Sequence, residues 1–216
     1  MSIHKTYAVF GLGRYGLAVA KELAASGAEV LAVDTDPAVV EAAAEELPVC
    51  RCADITDPEV IRQLGISNVD VVIIAMARNL EASVMAITLC KEVGVPAVIA
   101  KCGTEMHRKI MQRIGADKVV FPEMESGTRL AKNLVSAGFI DMVEISKDIS
   151  MVELAVKEAW VGKTLLELKL RNKYSLNVVA IRKEDKVSMD VDPTVPLEQD
   201  MKLIVVINSA NLDKLL

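Results

Sequence analysis

Near the N-terminus, Gly11-Leu12-Gly13-Arg14-Tyr15-Gly16 has the spacing G-x-G-x-x-G, directly after an apolar run and ahead of a helical pattern. In that setting glycines serve a tight turn, the approach of a phosphate to bare backbone, and close packing of helix on sheet. The helix start adds free N–H groups and a positive dipole end, which favour an anion. Asp34 closes the next apolar run, 18 residues beyond Gly16, where a carboxylate bonds ribose hydroxyls and repels a 2′-phosphate. The chemistry implied is adenine nucleotide binding, with NADP disfavoured. Arg14 sits at the mouth of the turn and can reach a terminal phosphate or simply be solvated. Asp54, in Ala53-Asp54-Ile55-Thr56-Asp57, is read either as an adenine-side contact or as a helix cap.

A catalytic apparatus is harder to find. The chain has 2 histidines, His4 and His107, and its second half shows no Ser/His/Asp set or metal-ligand cluster. An NAD-dependent oxidoreductase with a small substrate domain is the alternative reading, but it needs a proton relay beside the hydride partner. The 4 cysteines (Cys50, Cys52, Cys90 and Cys102) form no C-x-x-C and read as small buried hydrophobes kept reduced.

The elements that must position these residues follow from periodicity. Strands are expected at 7–10, 30–33, 49–52, 69–75, 96–101 and 118–121, with helices at 15–25, 37–46, 57–64, 80–93 and 105–114 between them. This β-α alternation predicts an α/β fold, a Rossmann-type doubly wound parallel sheet over 1–121. A helix opening at Pro122-Glu123 and ending at Gly138 is the crossover linker, 122–138. Beyond it, shorter alternating strands and one short helix at 165–170 predict a small α+β domain over 139–216.

Composition fits this picture. The 216 residues are 52% hydrophobic but 3% aromatic, so the core is aliphatic, and mean hydropathy is +0.33. The apolar run at 71–77 is far below the ~20 residues of a membrane span, so the excess belongs in a buried sheet or in subunit contacts. A net charge of −5 argues against nucleic acid as a partner. The opening Met1-Ser2-Ile3-His4-Lys5 lacks the pattern of a signal peptide, which leads us to expect a cytoplasmic chain.

Read in order, Gly11–Gly16, Asp34, Ala53–Asp57, Lys101, Ile114–Lys118 and Phe121-Pro122-Glu123 make the chain resemble the RCK proteins. These include the regulatory subunits of Ktr and Trk potassium uptake. The tail, Val161–Leu165 through Leu170-Arg171 and Asn177–Ile181, is similar to their C-terminal (TrkA-C) domain. Trk-type members usually carry two such units in tandem. With one, the chain resembles the KtrA type.

The resemblance implies a nucleotide-sensing regulatory subunit, not an enzyme. It implies dimers assembled into a homo-octameric ring beneath a potassium-translocating membrane subunit of KtrB type, with ATP/ADP exchange (NAD(H) as a further ligand) changing the ring and gating potassium flow. It places Gly11, Leu12, Gly13, Arg14, Tyr15 and Gly16 on the phosphates, Asp34, Thr35 and Asp36 on the ribose, and Asp54 and Ile55 by the adenine. Met76, Ala77 and Arg78 after the fourth strand, and Lys101, Cys102, Gly103 and His107 after the fifth, complete the set. Met76-Ala77-Arg78 and Cys102-Gly103-Thr104 depart from the usual family wording. Glu123 matches a carboxylate holding a cation such as Mg²⁺ beside the ATP γ-phosphate; otherwise it is a helix-start acid. Leu165, Leu166, Arg171, Asn177, Val178 and Pro193 match positions that bind cyclic di-AMP in some members, and Leu165, Leu166 and Val178 also read as plain core.

Overall fold

The computed structural model describes residues 5–135 and 139–215, which divide into two compact units, Met1–Glu123 and Met124–Leu216. The division falls two residues after the boundary expected at 121, so Glu123 belongs to the first unit.

In the first unit β1 (Thr6–Phe10), β2 (Glu29–Asp34), β3 (Cys50–Cys52), β4 (Val71–Ile74), β5 (Ala97–Lys101) and β6 (Lys118–Val120) form one sheet. Its order is β3-β2-β1-β4-β5-β6 and every pairing is parallel. The helices α1 (Arg14–Ala25), α2 (Pro37–Ala44), α3 (Pro58–Gln63), α4 (Leu80–Glu92) and α5 (Glu105–Arg113) supply the connections. Strand alternation sends successive residues to opposite faces, and both faces are covered. Ala8, Phe10, Val72 and Ile74 enter one core cluster, whereas Val9, Val71 and Ile73 enter the other. That double burial is why β4 reads as an unbroken apolar run rather than an alternating one.

Chain order reverses between β1 and β4, and parallel strands deliver their carboxyl ends to one edge. The loops after all six strands therefore start from the same side.

α6 (Pro122–Val135) starts in the first unit and continues into the second, whose further elements are β7 (Phe139–Glu144), β8 (Ile149–Ala155), α7 (Leu165–Leu168), α8 (Leu170–Tyr174), β9 (Leu176–Lys183), β10 (Lys186–Ser188) and β11 (Met201–Asn208). These strands form an antiparallel sheet, β10-β9-β11-β8-β7. Ser150, Val152 and Leu154 on β8 alternate with more exposed residues, and the apolar pair joins Leu203, Val205 and Trp160 in the core. The single helix expected at 165–170 is two short ones, broken where Lys169 takes φ of 49°. β10 lacks any apolar alternation, its three residues are exposed, and it was not expected from the sequence.

Candidate functional site

Phosphate-turn geometry follows from three glycines with different duties. Gly11 ends β1 at φ of 88°, a left-handed conformation, and a Cβ there would lie 2.6 Å from Met76 Cγ. Gly16 lets α1 close on the strand end, since a Cβ would come within 1.9 Å of the Gly11 carbonyl oxygen. At Gly13 a Cβ would meet no protein atom within 4 Å, so the bare backbone there faces open space.

Gly13 is also the N-cap of α1, and it makes no side-chain cap; the first turn of α1 carries no acid. Its neighbours are finished differently. Asp36 accepts from Ala38 N at 2.9 Å, Asp57 from Glu59 N at 2.8 Å, Asn79 from Ala82 N at 3.0 Å and Thr104 from His107 N at 3.1 Å, capping α2, α3, α4 and α5. A helix start left uncapped carries free donors and the positive dipole end. On α1 that end opens on a cavity of about 950 Å³.

Of the residues expected at the nucleotide, Gly11, Gly13, Arg14, Tyr15, Asp34, Thr35, Ile55, Met76, Ala77, Arg78, Lys101 and Glu123 line this cavity. Ala18, Val33, Ala53, Ala75 and Asn79 line it as well, and sequence reasoning missed them. Val33, Ala53, Ala75 and Asn79 each adjoin an expected residue in sequence, and Ala18 lies one helical turn beyond Arg14, which was the available signal.

The other expected residues are placed elsewhere. Leu12 is buried in the core, and its N–H donates to Asp34 Oδ2 at 2.6 Å. Asp34 therefore already ties the phosphate turn to β2, and its Oδ1 accepts from Asp36 N at 3.0 Å. Gly16 packs under the turn, and Asp36 caps α2. Asp54 neither lines the cavity nor caps a helix: it accepts from Thr56 N at 2.9 Å and Thr56 Oγ1 at 2.7 Å. Those bonds, the backbone one foremost, hold its carboxyl below the usual range. Asp57 is the cap instead. Cys102 is fully buried, and Gly103 lies against the Ala77 carbonyl oxygen, 3.4 Å from where its Cβ would be. His107 is in the first turn of α5 with its Nδ1 buried and unpaired among the described residues. His4 lies outside the described residues.

At the cavity's far side Lys101 Nζ donates to Glu123 Oε1 at 2.6 Å and stands 5.3 Å from the centre of the Tyr15 ring. The lysine is 13% exposed and the glutamate 64%. The Lys101 hydrogen bond is the main reason the Glu123 carboxyl titrates below its ordinary value, and Arg14 adds to it. Glu123 alone does not make a metal centre. Among the described residues no three His, Cys, Asp or Glu groups converge, and the cation beside Glu123 is Lys101.

The cysteines divide. Cys90 and Cys102 are buried hydrophobes, and burial pushes the Cys90 thiol up to about 12. Cys50 is half-buried and Cys52 exposed, contrary to the uniform expectation, because β3 is a short edge strand.

In the second unit a cavity of about 250 Å³ is lined by Leu165, Leu170, Arg171, Leu176, Asn177, Val178, Val191 and Pro193. Among the expected residues, Leu166 stays outside the lining and is 58% exposed. Its N–H donates to the Pro193 carbonyl at 3.3 Å, joining α7 to the loop that forms the opposite wall. Leu165 and Val178 pack against the core as well as lining the cavity.

A doubly wound parallel sheet with a glycine turn at its switch point, followed by a small antiparallel domain, defines a Rossmann-type protein with an appended module. Residues 7–122 match the TrkA-N domain and 149–216 the TrkA-C domain. The chain belongs to the TrkA-N/TrkA-C (RCK) family of potassium-uptake proteins. It is 37% identical to Ktr system potassium uptake protein C of Bacillus subtilis (strain 168), over 94% of this chain and 91% of that one. It is 33% identical to Ktr system potassium uptake protein A of Vibrio alginolyticus, over 94% and 92%. Among solved structures the GsuK channel superposes with a TM-score of 0.72 at 16% identity, a likeness of fold. That match covers 98% of this chain and 39% of the channel chain. Among the described residues no helix is long and apolar enough to cross a membrane.

Proposed function

We propose that the chain is the nucleotide-sensing regulatory subunit of a potassium uptake system rather than an enzyme, with ATP and ADP exchanging in the cavity over the phosphate turn. The observation that carries this reading is the uncapped start of α1, open to solvent at Gly13, beside α2 to α5, which are all side-chain capped. Phosphates supply the missing acceptors there, with Arg14 and Lys101 as counter-charges. NAD(H) is a further ligand of the same crevice. Asp34, which accepts hydrogen bonds from both Leu12 and Asp36, retains lone pairs for ribose hydroxyls and repels a 2′-phosphate.

In this reading copies of the chain form dimers, the dimers form a homo-octameric ring at the cytoplasmic face, and the ring acts on a membrane subunit of KtrB type. Kinship with Ktr proteins over nearly the whole chain supports it. Cyclic di-AMP is the ligand we assign to the smaller cavity, supported by Arg171 and Asn177 among its aliphatic walls. A cation such as Mg²⁺ at Glu123 would require the oxygens of a terminal phosphate to complete its shell, because Glu123 offers one carboxylate shared with Lys101.

Thermal denaturation with each nucleotide tests the reading. Ligand at a hundredfold excess over its dissociation constant stabilises by ~2.7 kcal/mol, so ATP and ADP should raise the midpoint well above the value in NADP. Light scattering at micromolar concentration should report an assembly. An equal shift with NADP would remove the nucleotide assignment, and a monomer would remove the ring.

A further inference from the structure

The cavity over the phosphate turn is electrically lopsided. Asp34 lies on the β2 side of the turn, where the sheet continues to β3. On the other side, toward β4 and β5, stand Arg78 and Lys101 with Glu123. Lys101 and Glu123 neutralise one another at 2.6 Å. Arg78 has no such partner: among the described residues it makes no ion pair or hydrogen bond, yet it lines the cavity. The residue after it, Asn79, caps α4 with its side chain, so the helix start there takes no acceptor from a ligand at Ala82 N.

A doubly wound crevice has two halves, and a dinucleotide lays its second nucleoside across the one beyond the switch point. Here that half is walled by an unpaired guanidinium. A sugar and a nicotinamide ring offer it no anion, and an oxidised nicotinamide adds a like charge. A terminal phosphate offers several acceptor oxygens that match the fork of a guanidinium.

We propose that Arg78 is a specificity-determining residue that converts the second half of a dinucleotide crevice into a receptor for the terminal phosphate of a mononucleotide, so that the chain prefers ATP to NAD. The inference rests on the nucleotide-binding reading above and deepens it. Arg14 steadies the phosphates at the turn, while Arg78 reads how far the phosphate chain extends. ADP, one phosphate shorter, engages Arg78 less than ATP does.

Calorimetric titration of the full chain with ATP, ADP and NAD⁺, as wild type, Arg78→Ala and Arg78→Lys, tests this. A charge-assisted contact predicts that Arg78→Ala weakens ATP by roughly tenfold or more, ADP less, and leaves NAD⁺ unchanged or tighter. Arg78→Lys keeps the charge but loses the fork and should fall between. Arg78 is exposed and unpartnered, so both variants should unfold at the wild-type temperature without ligand, which the same preparations can check. If Arg78→Ala lowers ATP and NAD⁺ affinity alike, or leaves ATP unaffected, the specificity role is overturned while nucleotide binding stands. A wild-type chain that takes none of the three overturns both.

Discussion

The two units hold their cavities in different ways, and sheet direction accounts for the contrast. In the first, all pairings are parallel, so the six strands end at one edge, and one cavity there is lined by the loops after β1, β2, β3 and β4, by Lys101 at the end of β5 and by Glu123 at the start of α6. Recognition there leans on backbone: a left-handed Gly11, an open Gly13 and an uncapped helix start. In the second, antiparallel neighbours end at opposite edges, and the cavity draws on α7, α8, the start of β9 and the loop at 191–193. Its walls are mostly aliphatic side chains that also belong to the core. The first unit thus sets backbone donors and charged side chains over a floor of core residues such as Val33 and Ile55, whereas the second builds most of its wall from the core itself.

The largest expected effect breaks the first unit at its turn. Gly16→Val places carbon where the Gly11 carbonyl oxygen lies 1.9 Å away, and neither backbone can yield without moving α1 from β1. Overpacking typically costs ~1–3 kcal/mol and occasionally more, and a clash with a backbone oxygen that cannot swing aside puts this site at or above the top of that range. Calorimetry should show the first unit's transition lowered or lost, with the nucleotide-induced shift gone. A Gly16→Val protein of wild-type stability would mean that the turn does not hold helix and strand together.

A somewhat smaller effect belongs to the second unit. Leu203 is fully buried on β11, the central strand between β9 and β8, and Leu203→Ala removes several methyl-bearing contacts. Large-to-small changes at such sites cost ~2–5 kcal/mol. If packing and nucleotide binding are separate in this molecule, the variant melts earlier yet still gains stability from ATP. Loss of the ATP response together with the core would show the two units to be one cooperative system.

Legibility in the sequence follows the same division. The parallel sheet was readable because doubly buried strands are continuous apolar runs, and α2 to α5 start at Asp36-Pro37, Asp57-Pro58, Asn79 and Thr104. The glycine spacing and Asp34 pointed to the cavity. What the sequence did not reveal is how a polar side chain spends its hydrogen bonds: Asp54 turns onto Thr56, and Leu12 gives its N–H to Asp34. The cavity's apolar floor at Val33 and Ala75 was hidden because strand residues at the carboxyl edge look like any other core. In the second unit the break at Lys169 escaped notice because a left-handed lysine leaves no mark in an apolar pattern.

The smallest effect concerns the ion pair between β5 and the start of α6. Lys101 holds the Glu123 carboxyl below its ordinary value of 4.5, so folding favours the ionised form. A carboxyl depressed by folding contributes stability above its unfolded value, and that contribution disappears as pH falls through the folded one. Exposed pairs are worth ~0–1 kcal/mol, and Glu123 is largely exposed, so the gain belongs at the low end of that range. Glu123→Gln keeps the shape and a weaker hydrogen bond while removing the charge. The variant should therefore unfold slightly earlier than wild type near neutral pH, and the gap should close below about 4.5, where the wild-type carboxyl takes up its proton. Calorimetric scans of both proteins between neutral pH and acid, read as a difference, cancel the titration of the other carboxyls. A gap that persists unchanged into acid would assign the loss to shape rather than charge. Lys101 would then be held by the Tyr15 ring, and Glu123 would be free for another cation.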